Sequence, residues 1–231
     1  MIRKLLVLLL MALTCLGFAQ QSGVIKQIDV HGNKQVSTQA ITLVMRTKVA
    51  QLYNQAQLDQ DKQSILDMGF FEGVDVRATA PDSSGWVVTV DVHEYPVIKE
   101  IRVAGNKVIS TPQILKLIDT KPGQIFNAKA ISPSAKAIEA LYDKSGYSAR
   151  VLQFGPLRES PNTLNVVLVE RTVGQIKIVG NTRTKDRVMR HLIRTRPGDT
   201  YSVKSWQSDL KRLYGTQWFE TPIGIKEEDS G

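Results

Sequence analysis

The sequence predicts an α+β chain in which one β-α-α-β-β unit is written three times within 231 residues. Three observations carry that prediction. Gly-Asn pairs stand at Gly32-Asn33, Gly105-Asn106 and Gly180-Asn181, 73 and 75 residues apart. Fifteen residues after each glycine comes a threonine followed by a base: Thr47-Lys48, Thr120-Lys121 and Thr195-Arg196. An aromatic and a small polar residue then follow at Tyr53-Asn54, Phe126-Asn127 and Tyr201-Ser202, in the same register. Matches that keep one register along a chain mark internal repetition.

Each copy opens on a strand. Ile28 and Val30, Ile101 and Val103, and Ile176 and Ile178 alternate into the Gly-Asn pair, as a half-buried strand entering a tight turn does. A first helix follows. Ser37 opens it in the first copy, with Ile41, Val44 and Met45 on its face. In the second, Ser110 and Gln113 form a capping box before Ile114, Leu117 and Ile118. In the third, Lys185 holds the cap position, so capping is expected from Thr184. The pairs Pro122-Gly123 and Pro197-Gly198 end this helix.

A second helix is predicted from stripes of Leu58, Ile65 and Leu66; of Ile131, Ala135, Ile138 and Tyr142; and of Val203, Trp206, Leu210, Leu213 and Tyr214. Ser132-Pro133 reads as a cap with proline at the first helical position. Asp59 and Asp61 read as carboxylates at the helix start, favoured by the positive end of its dipole. The aromatics after this helix, Phe70-Phe71, Tyr147 and Trp218-Phe219, read as core packing.

Two strands close the unit. Val74, Val76 and Ala78 alternate, Pro81 to Gly85 turn, and Trp86, Val88, Val90 and Val92 alternate again. The second copy repeats this with Val151 to Phe154, a turn near Ser160-Pro161-Asn162, and Leu164 to Val169. In the third copy Trp218-Phe219-Glu220 aligns with Phe70-Phe71-Glu72, Ile223 and Ile225 resemble the middle strand, and Glu228 to Gly231 resembles the turn. The copy is therefore expected to be cut before its last strand, as the front part of a longer protein or a truncated copy.

Composition narrows the function classes. The chain is 42% hydrophobic and 23% charged, which suits a folded protein and excludes disorder. Its single cysteine, Cys15, excludes a disulfide framework and a multi-cysteine metal site. His31, His93 and His191 are too scattered to suggest a metal centre. No Gly-x-Ser-x-Gly, His-Glu-x-x-His or phosphate-loop pattern occurs, so no catalytic residue, metal or cofactor is expected and the chain is not read as an enzyme. Arg3 and Lys4, the apolar run Leu5 to Phe18, and the small residues Gly17 and Ala19 have the layout of a signal peptide over residues 1–19. Export, and the lack of aromatics interleaved with basic residues, argue against nucleic acid. The net charge of +8, with Arg183, Lys185, Arg187, Arg190, Arg194 and Arg196 crowded in the third copy, reads either as a solvated face that confers solubility or as an attraction to an anionic membrane surface.

With these residues in hand, the chain resembles the POTRA repeats of BamA-like outer-membrane protein assembly factors. The carriers are the strand and Gly-Asn turns, the Thr-Lys-Pro-Gly helix stops with the aromatic-Asn that follows, and the Gly-Phe-Phe or Gly-Tyr entry to the middle strand. The resemblance implies POTRA 1 at 24–95, POTRA 2 at 96–171 and POTRA 3 at 172–231, each a three-stranded mixed sheet backed by two helices. It implies a periplasmic region attached to an outer-membrane barrel in a diderm bacterium. It also implies that the first and last strands pair and the middle strand forms the edge. That edge comprises Val74, Asp75, Val76, Arg77 and Ala78 in the first copy and Arg150, Val151, Leu152 and Gln153 in the second. The expected partners are unfolded outer-membrane protein clients and accessory assembly proteins, held by β-augmentation. The alternatives are the POTRA region of a two-partner secretion transporter and a free-standing periplasmic scaffold.

Overall fold

The computed structural model describes residues 23–82 and 85–219, and it divides into two compact units, one ending at Glu94 and one beginning at Tyr95. The signal peptide, Glu220, Ile223, Ile225 and the turn Glu228 to Gly231 lie outside the described residues.

The first unit runs β1 (Ile25–His31), α1 (Thr38–Val44), α2 (Gln55–Leu66), β2 (Phe71–Asp82) and β3 (Gly85–Glu94). Its sheet has the order β1-β3-β2, with β1 parallel and β2 antiparallel to the central β3. Alternation along β3 aims Trp86, Val88, Val90 and Val92 into one core, where they meet Ile41 and Met45 at α1 and Leu58 and Ile65 of α2. Each fully buried aliphatic side chain contributes about 1.5–3 kcal/mol relative to an exposed one.

The second unit begins with the same plan: β4 (Glu100–Ala104), α3 (Thr111–Leu115), a 3₁₀ turn (Ala128–Ala130), α4 (Ile131–Ser145), β5 (Ala149–Leu157) and β6 (Ser160–Glu170). Its sheet has the order β4-β6-β5 with the same parallel and antiparallel pairings. The α5 (Asp186–Leu192) and α6 (Val203–Gly215) helices of the third copy follow.

The repeat extends to individual hydrogen bonds. Ile25 donates its N–H to Gln51 and accepts from Ala50, Ile98 does the same with Gln124 and Gly123, and Val173 with Asp199 and Gly198. Each Gly-Asn pair has one physical cause. Gly32, Gly105 and Gly180 take φ of 88°, 90° and 83°, and a Cβ on Gly32 or Gly105 would strike the carbonyl oxygen of Val92 or Leu168. The following Asn33, Asn106 and Asn181 each donate a side-chain N–H at 2.9 Å to a carbonyl three residues on, closing the turn.

The first helices of the second and third copies end at Leu115 and Leu192, ahead of the Pro-Gly pairs expected to stop them, and the fourth position of the Thr-Lys-Pro-Gly segment differs between copies. Gly123 and Gly198 take φ of 88° and 90°, whereas exposed Ala50 is forced to 71°. Ala50→Gly should therefore raise stability by about 0.5–1 kcal/mol, because it relieves a left-handed alanine without losing burial. Urea titration would show a higher midpoint; a lower one would contradict the strain.

Several expectations are corrected. Val44, Val203 and Tyr214 are exposed rather than core, since the buried stripes are narrower than the apolar ones, and Trp218, after the last helix, is exposed as well. Ser132-Pro133 is not the cap: the preceding 3₁₀ turn is capped by Asn127, whose side chain accepts from Lys129, and Pro133 sits within the first helical turn, where its missing N–H costs nothing. Lys185 is the N-cap of α5 without a side-chain bond, and Thr184 instead gives its carbonyl to Asn181. The second hairpin turns at Arg158 and Glu159, ahead of the expected place, because β6 already starts at Ser160. Ile176 and Ile178 join no strand ladder among the described residues.

Candidate functional site

The middle strand of each of the first two copies is a sheet edge. On β2, Val74 is buried and Val76 and Ala78 pack half-buried against the core, while Asp75 and Arg77 face solvent. Arg77 pairs with Asp75 at 3.1 Å and with Asp91 on β3; Lys62 of α2 reaches Asp75 at 3.6 Å. Pairing with β3 keeps one register from Gly73 to Thr79. An antiparallel edge of this kind sends alternate N–H and C=O groups away from its neighbour.

The β5 edge is less regular. Arg150 and Leu152 are exposed, and Val151 and Gln153 are half-buried. Val151 pairs with Leu168 and Gln153 with Val167, so Leu152 is a bulge residue, 66% exposed. The Val151 N–H donates at 3.1 Å to Glu139 Oε1 of α4. Pro156 further along this strand has no N–H to offer.

The residues that hold these edges in place were not singled out in the sequence. Glu94, at the end of β3, accepts N–H bonds of 2.8, 3.0 and 2.8 Å from Lys34, Gln35 and Val36, tying the Gly-Asn turn to the sheet. Glu170 does this in the second copy for Lys107 and Val108 at 2.6 and 2.9 Å, and also takes the hydroxyls of Tyr142 at 2.9 Å and Thr200 at 3.3 Å. Burial alone would push the Glu170 carboxyl up, but these amides and hydroxyls together hold it below the usual carboxylate value. Burial, reinforced by the neighbouring carboxylate, pushes the Tyr142 hydroxyl upward. A glutamate closing the last strand of both the first and the second copy was the available signal.

Asp61 also departs from expectation. The helix α2 starts at Gln55 behind an Asn54 cap, so both Asp59 and Asp61 lie beyond its first turn, and Asp61 is fully buried. It accepts from the N–H groups of Arg46 at 2.6 Å and Thr47 at 3.1 Å, fastening the loop after α1. Asp209 does the same for Arg194 and Thr195 at 2.9 and 3.1 Å. Ser134 occupies the register position in the second copy and reaches only the Asp119 N–H, at 3.4 Å. The base after each buried threonine caps carbonyls at the end of the first helix: Lys48 to Thr42, Lys121 to Leu115 and Ile118, Arg196 to Arg190 and Ile193.

Among the described residues no group of three or more His, Cys, Asp or Glu is placed to hold a metal, and no helix is long and apolar enough to cross a membrane. The buried carboxylates Asp61, Glu170 and Asp209 fasten loops and turns. The open hydrogen-bonding groups lie on sheet edges, so the fold and site define a class of tandem α+β modules.

The POTRA family profile, described as Surface antigen variable number repeat, matches residues 23–95, 96–171 and 172–230, and the chain belongs to that family. It is 26% identical over 198 residues to the outer membrane protein assembly factor BamA of Neorickettsia risticii, covering 82% of this chain and 24% of that one. It is 24% identical over 227 residues to a putative outer membrane protein assembly factor of Treponema pallidum, covering 87% and 27%. The chain thus spans about a quarter of the length of these relatives. The N-terminal domain of Omp85 from Thermosynechococcus elongatus has a similar structure, with a TM-score of 0.76 at 25% identity over 87% of this chain and 88% of that one.

Proposed function

We propose that this chain is the periplasmic POTRA region of an outer-membrane β-barrel assembly factor and holds extended polypeptides along its sheet edges. The relatives named as assembly factors support the setting, and an outer-membrane-associated location in a diderm bacterium follows from it. The observation that carries the mechanism is the position of β2, outermost in its sheet with unbroken register from Gly73 to Thr79. Such an edge accepts a chain through backbone hydrogen bonds and tolerates varied side chains. Each bond nets only about 0.5–1.5 kcal/mol, so a few of them hold unfolded clients or accessory assembly proteins reversibly.

Val76→Pro tests this reading, because proline removes a donor and its ring obstructs an approaching strand. Binding of a urea-unfolded outer-membrane barrel protein, diluted into buffer, should weaken about tenfold, the equivalent of about 1.4 kcal/mol. Arg77→Ala, which keeps the backbone, should change binding little. Equal affinity in Val76→Pro with a native circular dichroism spectrum would refute edge pairing.

A further inference from the structure

The two edges are not equivalent, and the difference lies in a helix side chain. Glu139 of α4 is half-buried and extends over β5, where its Oε1 takes the Val151 N–H. In the repeat register its counterpart on α2 is Leu66, which packs partly against the core and has no polar atom to offer. Among the described residues no side chain accepts from the amides of Gly73 to Thr79. Both strands bulge near their start, β2 at Glu72 and β5 at Leu152, but β2 then runs seven residues in one register, whereas the β5 bulge falls within the edge stretch, next to the amide that Glu139 covers.

We infer that Glu139 acts as a built-in substitute for the carbonyl of an incoming strand, so that β2 of the first copy is the docking surface for an extended polypeptide while β5 is kept closed. This inference rests on the edge-binding reading above and says which edge is used. A carboxylate is a stronger acceptor than a neutral carbonyl, since charge-assisted hydrogen bonds are about twice as strong as neutral ones. An arriving strand must displace it and leave its charge beside a row of carbonyl oxygens. The bulge adds to this by throwing the next residue out of register. The occupant that fits β2 is an extended segment without a fixed sequence. Its end near Asp75 and Arg77 can carry either sign, because both charges are exposed there.

The experiment uses the whole chain, labelled with nitrogen-15, and a synthetic nine-residue peptide of alternating valine and threonine with a lysine at each end. In the wild-type protein the peptide should shift the amide signals of Gly73 to Thr79 and leave those of Arg150 to Gln153 in place. In Glu139→Ala both sets should shift. Without peptide, hydrogen exchange at the Val151 amide should be about tenfold faster in Glu139→Ala, the scale of one net hydrogen bond. Glu139→Gln, which keeps an acceptor oxygen, should restore most of the protection. A β5 that responds like β2 in the wild type, or stays silent in Glu139→Ala while β2 responds, overturns this inference and leaves edge binding standing. Silence at both edges in both proteins overturns edge binding as well.

Discussion

Replacing Glu170 by alanine is expected to destabilise the second unit by about 3–5 kcal/mol, because several donors lose one buried ionised acceptor at once. The carboxylate is 6% exposed and receives two backbone amides and two hydroxyls, so no water can readily take its place. A loss of that size is a large fraction of a small domain's total of about 5–15 kcal/mol. Glu170→Gln should lose less, since an amide oxygen still serves Lys107 and Val108. The pH dependence has a definite sign. The folded carboxyl is held below its ordinary value, so its contribution is fully present above the unfolded glutamate value of about 4.3 and disappears as pH falls through the lower folded value. Guanidinium titrations between pH 7 and pH 3 should show wild-type stability dropping below about pH 4.3 more steeply than that of Glu170→Gln. Parallel curves would mean that the charge is not what matters.

Asp61→Ala should cost the first unit about 2–4 kcal/mol, for it strands two backbone N–H groups in a fully buried place. The repeat supplies its own control. Ser134 holds the same register position with a single 3.4 Å bond, so Ser134→Ala should cost less than about 1 kcal/mol. Thermal unfolding followed by circular dichroism would rank the two. A loss for Asp61→Ala no larger than for Ser134→Ala would show that water replaces the carboxylate.

What could be read from the residue order, and what could not, divides along a physical line. Local patterns carried through: the strand alternation of Trp86 to Val92, the helical spacing of Ile138 and Tyr142, and the Gly-Asn turns all reflect constraints acting within a few residues. The placement of the middle strand outside the last one needed the family resemblance, because the alternation of Val74, Val76 and Ala78 is the same whether a strand is central or outermost. The anchoring carboxylates escaped because their partners are distant. Asp61 serves amides about fifteen residues earlier, and Glu94 serves amides some sixty earlier. A carboxylate beside an apolar stripe is indistinguishable from a solvated one until the chain folds back. Comparing the copies position by position would have exposed Asp61 and Asp209 together. Glu139 would still have been hidden, since only the second copy has an acid there. Val203 and Tyr214 misled for the opposite reason: they continue an apolar stripe past the width that α6 buries.

The Thr200 hydroxyl, which belongs to the third copy, reaches the glutamate that closes the second, and the Val203 N–H bonds to the Gly146 carbonyl nearby. Anyone dissecting this protein by recombinant excision must therefore choose the cut with care. A fragment ending at Arg171 would be a worse specimen of the second copy than one reaching past Val203, even though the shorter piece contains every strand and helix of that copy.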